Sequence, residues 1–315
     1  MFGRRTLPGE AAILRACRAA IAGGVCAALL AFSGCGGGAG AAADGRLAVV
    51  ATTTQVGDLV RNVGGRAVDV HQILAPNTDP HEYEVRPRDV EAVSRATLIF
   101  SSGGDVDKWL AGAVRSAGSN ARVVVLIDSV RRIGDDPHWW QDPRNFELAT
   151  VAVRDALARA EPRAAAAFRA NAARYLRRLR ALDAAVGRCI AKVPAAQRKL
   201  VTTHDALGYF ARRYGIRVIG TVIPSLTTAG QPSAGETAAL VATIRREHVK
   251  AIFAESSVNP KVEAAIARET GAKVGRALWA DTLGPKRSDG ATYIASIEAN
   301  TRALVEGFTG GAVGC

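Results

Sequence analysis

Three histidines and one aspartate stand far apart in this chain, each in turn-like company. They are His81 in Asn77-Thr-Asp-Pro-His81-Glu-Tyr-Glu84, His138 in Asp136-Pro-His138-Trp-Trp-Gln-Asp142, His204 in Val201-Thr-Thr-His204-Asp205, and Asp281 in Leu278-Trp-Ala-Asp281-Thr-Leu-Gly284. Three imidazole nitrogens and a carboxylate oxygen make a competent set of ligands for a divalent transition metal. A zinc finger gathers its ligands from one local loop. These four are separated by dozens of residues, so a metal held by them would tie together distant parts of a large fold.

Each residue also has a plainer reading. His81 fits an exposed polar loop, and His138 fits a packed cluster with Trp139 and Trp140. His204 fits the start of a helix, and Asp281 fits the first position of an Asx turn. Glu255 ends an apolar run. It suits a carboxylate that orients a ligand imidazole, and it is the alternative to Asp281 as a direct ligand. His71 within a strand, and His248 beside Arg245 and Arg246, read as structural or exposed.

The elements that would position these residues follow from periodicity. Short β-branched runs at 47–52, 68–74, 97–101 and 123–127 read as strands, with helices at 56–63, 87–94, 108–116 and 146–159. A second set follows, with strands at 200–202, 217–222, 251–254 and 273–278. Its helices lie at 206–214, 233–248, 261–270 and 293–307, and Ser233 with Glu236 forms a capping signal at the start of one of them. Strands alternating with helices imply parallel βαβ units. The fold class is α/β, with two α/β lobes that each hold a mainly parallel four-stranded sheet.

Between the two sets, residues 161–192 carry no proline after Pro162, and Leu176, Leu179, Leu182 and Val186 recur at helical steps. One amphipathic helix of about 28 residues would be roughly 40 Å long, a stiff strut between the lobes. The domain boundaries are therefore a leader at 1–34, a Gly/Ala tether at 35–45, an N-terminal lobe at 46–160, the linker helix at 161–192 and a C-terminal lobe at 193–315. In open α/β sheets, ligands bind beyond the carboxyl ends of the strands. All four candidate ligands follow strands there, two from each lobe, so they can meet in the interlobe cleft.

Arg4, Arg5, Arg15 and Arg18 precede an apolar small-residue run that ends Phe32-Ser-Gly-Cys35. That order is an export signal, and the run is too short for a confident membrane span. Cys35 after small residues resembles a lipobox, which makes it the expected lipidated residue; ordinary cleavage near Gly34 is the alternative. The protein is expected outside the cytoplasmic membrane, on its outer face or in the periplasm. Losing a leader with four Arg and one Glu lowers the formal charge from +12 to +9. The arginines are dispersed along helices, which argues against nucleic acid as a partner. Cys189 and Cys315 are left as two thiols whose pairing spacing alone does not decide.

The stretches Asp79-Pro-His81-Glu-Tyr-Glu84, Asp136-Pro-His138-Trp-Trp-Gln-Asp142-Pro143, Thr203-His204-Asp-Ala-Leu-Gly-Tyr-Phe210, Phe253-Ala-Glu255-Ser-Ser-Val-Asn-Pro260 and Ala280-Asp281-Thr-Leu-Gly284 occur in that order. In this pattern the chain resembles the metal-binding lipoproteins of bacterial zinc and manganese ABC importers, the cluster A-I substrate-binding proteins. The resemblance covers nearly all of residues 46–309. It implies two lobes joined by one rigid helix, with a metal held by His81, His138, His204 and Asp281.

It also implies zinc as the bound ion, because imidazole nitrogen suits zinc, with manganese as the alternative. Residues 103–135 contain no histidine, so the pattern resembles the AztC-type subgroup without a histidine-rich loop. The implied partners are the permease and ATPase of an ABC importer, with a metallochaperone as a further candidate, and the implied state is a monomer. The implied role is capture and delivery of zinc, not catalysis. Two other classes compete: a secreted zinc hydrolase, which needs an open coordination position, and a carrier of an organic ligand, which needs a wide aromatic-lined cleft. Residues 223–235, rich in Pro, Gly, Ser and Thr, read as a loosely packed lid.

Overall fold

A computed structural model describes residues 45–315, all within one unit. The export leader, the lipidation expected at Cys35 and all but the end of the tether lie outside the described residues. None of the described helices is long and apolar enough to cross a membrane.

The first half runs β1 (Leu47–Ala51), α1 (Thr54–Gly64), β2 (Val68–Gln72), α2 (Pro87–Arg95), β3 (Leu98–Ser101), α3 (Leu110–Ser116) and β4 (Arg122–Val125). Two long helices follow, α4 (Pro143–Ala160) and α5 (Ala165–Ala191). The second half runs β5 (Lys199–Thr202), α6 (Gly208–Tyr214), β6 (Arg217–Thr221), α7 (Ala234–Glu247), β7 (Ala251–Ile252), α8 (Lys261–Thr270), β8 (Lys273–Val274) and α9 (Tyr293–Thr309).

The first sheet is parallel throughout, in the order β2-β1-β3-β4. β1 reads LAVVA and is almost wholly buried, as a central parallel strand covered on both faces must be. Its side chains alternate. Val49 and Ala51 join the core beneath α1, while Val50 joins Ile99, Val93 and Leu110 on the opposite face. In α1, Val56, Leu59, Val60 and Val63 recur at helical spacing and are fully buried.

The second half repeats the plan in looser form. β5 pairs with β6 and β7 with β8, both in parallel. The Phe253 N–H donates to the Val201 carbonyl at 2.9 Å, and Thr202 bridges Phe253, so the two pairs form one layer in the order β6-β5-β7-β8. β7 and β8 are shorter than the runs at 251–254 and 273–278 suggest. Pairing continues irregularly past them: Gly275 N–H donates to Ile252 O at 2.8 Å and Leu278 N–H to Ala254 O at 2.9 Å. Gly275 lies flat on the Phe253 ring, where a side chain would collide, and the regular ladder stops there.

The segment 161–192 is not one uninterrupted helix. Glu161 breaks the helical path, Pro162–Ala164 form a single tight turn, and the 27-residue α5 begins at Ala165. Pro162 lacks the N–H needed to continue α4. α5 presents Phe168, Ala172, Tyr175, Leu179, Leu182, Val186 and Ile190 to the interior. It is fastened to both halves. Asn171 donates to the Val63 carbonyl at 3.0 Å, and Asp183 accepts from Arg213 at 2.6 Å and from Tyr214 at 2.9 Å. Cys189 is disulfide-bonded to Cys315, with Cα atoms 5.3 Å apart.

One large apolar cluster includes Val49 and Phe100 of the first half, Leu179 of the strut, and Leu200, Phe253 and Leu304 of the second half. Interiors packed in this way resist shear. The two halves therefore share a continuous foundation.

Candidate metal centre

His81 lies in the loop after β2. Asp79 Oδ1 accepts the His81 backbone N–H at 2.9 Å, which turns the chain sharply around Pro80. His138 lies in the loop after β4, and Asp136 Oδ1 accepts its backbone N–H at 2.9 Å in the same way. The same Asp136 oxygen faces His138 Nδ1 at 2.7 Å. His204 follows β5 directly, and Glu255 Oε1 lies 2.6 Å from its Nδ1. Asp281 follows the irregular run that prolongs β8. Trp140 Nε1 and Gln141 Nε2, from the first half, both donate to the carbonyl of Ala280, at 2.9 and 2.8 Å. The position of Asp281 is thus set by the turn that carries His138.

The four side chains meet below the surface. One ligand atom from each lies within 4.8 Å of every other. Asp281 Oδ2 is 3.3 Å from His81 Nε2 and 3.2 Å from His204 Nε2, and Asp281 Oδ1 is 3.5 Å from His138 Nε2. The Nε2 atoms of His138 and His204 are 3.3 Å apart. His138 and His204 are fully buried, Asp281 is 2 % exposed and His81 is 8 % exposed. Both ring nitrogens of His81 and both oxygens of Asp281 lack a hydrogen-bond partner. Buried polar atoms are seldom left so, and a cation among them would take up His81 Nε2 and the Asp281 carboxylate together.

Charge in the cluster is strongly perturbed. Burial pushes the Asp281 carboxyl up, but the imidazoles of His204 and His138 outweigh it and hold the group well below the ordinary carboxylate range. Burial pushes the His204 imidazole down, and the charges of Asp281 and Glu255 outweigh that too, lifting it to about 11. Burial raises the Glu255 carboxyl, with His204 opposing. The buried charges therefore favour an ionised Asp281 with a proton on His204 beside it when no cation is held.

Glu255 addresses the far nitrogen of His204, outside the cluster, and Asp281 lies inside it. His71 is half-exposed, 3.8 Å from Asp89, and His248 closes α7 with φ at 51°; neither approaches the centre. The Asp136 carboxylate is a contributor that residue types alone did not reveal. The repeated Asp-Pro-His triplet was the available signal. Thr228 was also missed. Its hydroxyl donates to Asp79 Oδ2 at 2.6 Å, from the opposite half.

That contact corrects the reading of 223–235 as loosely packed throughout. Thr228 is buried, and Ile223 N–H donates to the Thr203 carbonyl at 2.7 Å, while 233–235 are exposed. Asp79 stands close enough to accept the hydroxyl, and that hydrogen bond stitches the first part of the loop down.

Residues 49–307 match the family described as ZnuA, zinc-uptake complex component A, periplasmic. The chain is 32 % identical over 301 residues to the zinc-binding protein TroA of Treponema pallidum, covering 89 % of this chain and 97 % of the relative. It is 30 % identical to the manganese-binding lipoprotein MntA of Bacillus subtilis, covering 89 % of this chain and 95 % of the relative. The solved structure of periplasmic zinc-binding protein TroA from Treponema pallidum superposes with a TM-score of 0.78 at 28 % identity, covering 84 % of this chain and 99 % of that one.

Proposed function

The chain belongs to the ZnuA family of periplasmic zinc-uptake components, and from that premise we propose that it captures one zinc ion in the cleft and delivers it to the permease of an ABC-type importer. His81, His138, His204 and Asp281 hold the ion. The observation that carries this reading is the spacing of the ligand atoms. A tetrahedron with bonds of about 2.0–2.1 Å has edges of about 3.3–3.4 Å; Asp281 Oδ2 lies 3.3 and 3.2 Å from the Nε2 atoms of His81 and His204, the Nε2 atoms of His138 and His204 are 3.3 Å apart, and all four ligand atoms lie within 4.8 Å of one another.

The protein's own groups prepare the site. Asp136 and Glu255 each face an Nδ1, so the imidazoles of His138 and His204 turn their Nε2 atoms inward. Asp281 supplies the anionic donor. Four protein donors complete a tetrahedral shell and leave no position for an attacking water, which separates a carrier from a hydrolase. The cluster is compact, which suits an ion and not an organic solute.

Native mass spectrometry of the exported protein, stripped with chelator and reloaded, tests the reading. One zinc per chain is expected, retained against equal buffered manganese. Preferential retention of manganese, the metal in the name of the MntA relative, would reassign the cargo. Failure to retain any metal would sink the reading. Attachment at the outer face of the membrane through Cys35 belongs to the same proposal, and Cys35→Ser should release the protein into the soluble extracytoplasmic fraction.

A further inference from the structure

On the flank of the molecule, away from the metal ligands, two adjoining hollows of about 270 and 500 Å³ share Arg144 and Arg213 as a common wall. The shared part is already neutralised. Arg213 is paired with Asp183 at 2.6 Å and lies 3.8 Å from Asp142, and Arg144 lies 3.4 Å from Asp183. The two ends are not neutralised. Arg131, Arg132 and Arg212 line one end, and Arg188 and Arg198 line the other. Among the described residues, none of these five has a carboxylate within ion-pairing distance; the Arg198 side chain donates to the Val193 carbonyl, at 2.9 Å. Other surface arginines, such as Arg95, Arg180 and Arg217, are paired with glutamates.

We infer that this groove is a docking site for an acidic segment of a partner protein, one that places carboxylates at both ends of the groove. Guanidinium groups bind carboxylates as planar forks. The charge pattern selects among anions. A lone phosphate or a single lipid headgroup engages one end, whereas two charged ends around a neutral middle fit a chain with carboxylates at two places. Export of the protein removes it from nucleic acid.

The floor of the first hollow is fixed. The Tyr209 hydroxyl accepts from Ile133 N–H at 2.8 Å and donates to the Asp136 carbonyl at 3.2 Å. A docked segment thus lies against the loop that carries Asp136 and His138. The inference stands on the groove alone and does not require that the cleft bind metal.

The test is fluorescence anisotropy with a labelled peptide of alternating Glu and Gly, titrated with the mature chain at low ionic strength. Saturable binding is expected, weakened about tenfold or more by Arg131→Gln/Arg132→Gln/Arg212→Gln and, separately, by Arg188→Gln/Arg198→Gln. A control with the same charge loss as the triple variant, Arg163→Gln in the turn before the strut with Arg169→Gln and Arg177→Gln on its exposed side, should leave binding unchanged. Equal weakening by this control would mean general charge attraction and would overturn the site. So would unchanged binding in the groove variants, or peptide binding that inorganic phosphate abolishes at equal concentration. Phosphatidylglycerol vesicles form a second arm: groove-dependent vesicle binding without peptide binding would reassign the groove to membrane lipid. Thermal melts and zinc stoichiometry of each variant confirm that it folds.

Discussion

The same triplet, Asp-Pro-His, brings two of the proposed ligands into the cluster, and the two copies are braced differently. At Asp136-Pro-His138 the aspartate holds both the backbone N–H and ring Nδ1 of its histidine, at 2.9 and 2.7 Å. At Asp79-Pro-His81 the aspartate holds only the backbone N–H. Its other oxygen accepts from Thr228 across the cleft, and the His81 ring has no hydrogen-bond partner. The ring of His138 is therefore fixed within one half of the molecule. His81 is positioned through its backbone by a turn that depends on a contact from the other half. A site that must bind tightly and then release benefits from such inequality, because one ligand can leave before the rest.

The largest effect should come from deleting ligands. With total binding free energy for a four-ligand zinc site of about 10–16 kcal/mol, one ligand accounts for about 2.5–4 kcal/mol. His138→Ala should cost zinc affinity by that amount, and His81→Ala should cost measurably less. Competition titration against a calibrated chelator reads both, and equal losses would break the comparison.

Next in size is the brace. Asp136→Asn should weaken zinc binding about 10–100-fold, as loss of a carboxylate behind a ligand imidazole does. Asp79→Asn, which touches no ring, should have less effect on affinity. A larger loss at Asp79 would reverse the assignment of roles.

The pH response sharpens the contrast between braced and unbraced rings. His204 is raised to about 11 in the metal-free fold, above its ordinary value of about 6.5. Its charged form therefore stabilises the metal-free protein fully below about pH 6.5, and that contribution is lost as pH rises through about 11. Zinc must displace this proton. Between about pH 6.5 and 8, affinity should rise up to about tenfold per pH unit, with about one proton released per zinc. Calorimetry in buffers of different ionisation enthalpy measures that proton, and its absence would contradict the charge state assigned to His204.

The smallest effect concerns Thr228. Thr228→Val removes one hydrogen bond worth about 1 kcal/mol. It should speed zinc dissociation several-fold while leaving stoichiometry unchanged. Hydrogen exchange should quicken in 223–235 and around His81 but not in Ala165–Ala191. Faster exchange in the strut, with the loop unchanged, would show that release works through the long helix.

Much of this architecture is legible in local patterns. LAVVA reads as a buried strand and is one, Ser233 and Glu236 cap α7 reciprocally as the sequence suggests, and Lys261–Thr270 is a helix over the expected residues. Such features depend on neighbours a few positions away, so composition and period suffice. The identity of the four polar residues at strand ends is of the same kind. Their convergence is not, because it depends on where two sheets come to rest. Only the tertiary structure places Asp281 among the Nε2 atoms and Glu255 behind His204, since both are carboxylates near strand ends and differ in direction, not in type. It alone joins Cys189 to Cys315 across 126 positions and merges the two halves into one core. It alone gives two identical triplets unequal supports, because Thr228 reaches Asp79 across 149 positions while Asp136 is left to its own histidine ring. Hydrogen-bond partners between distant segments are chosen by packing, and no local pattern of residues encodes them.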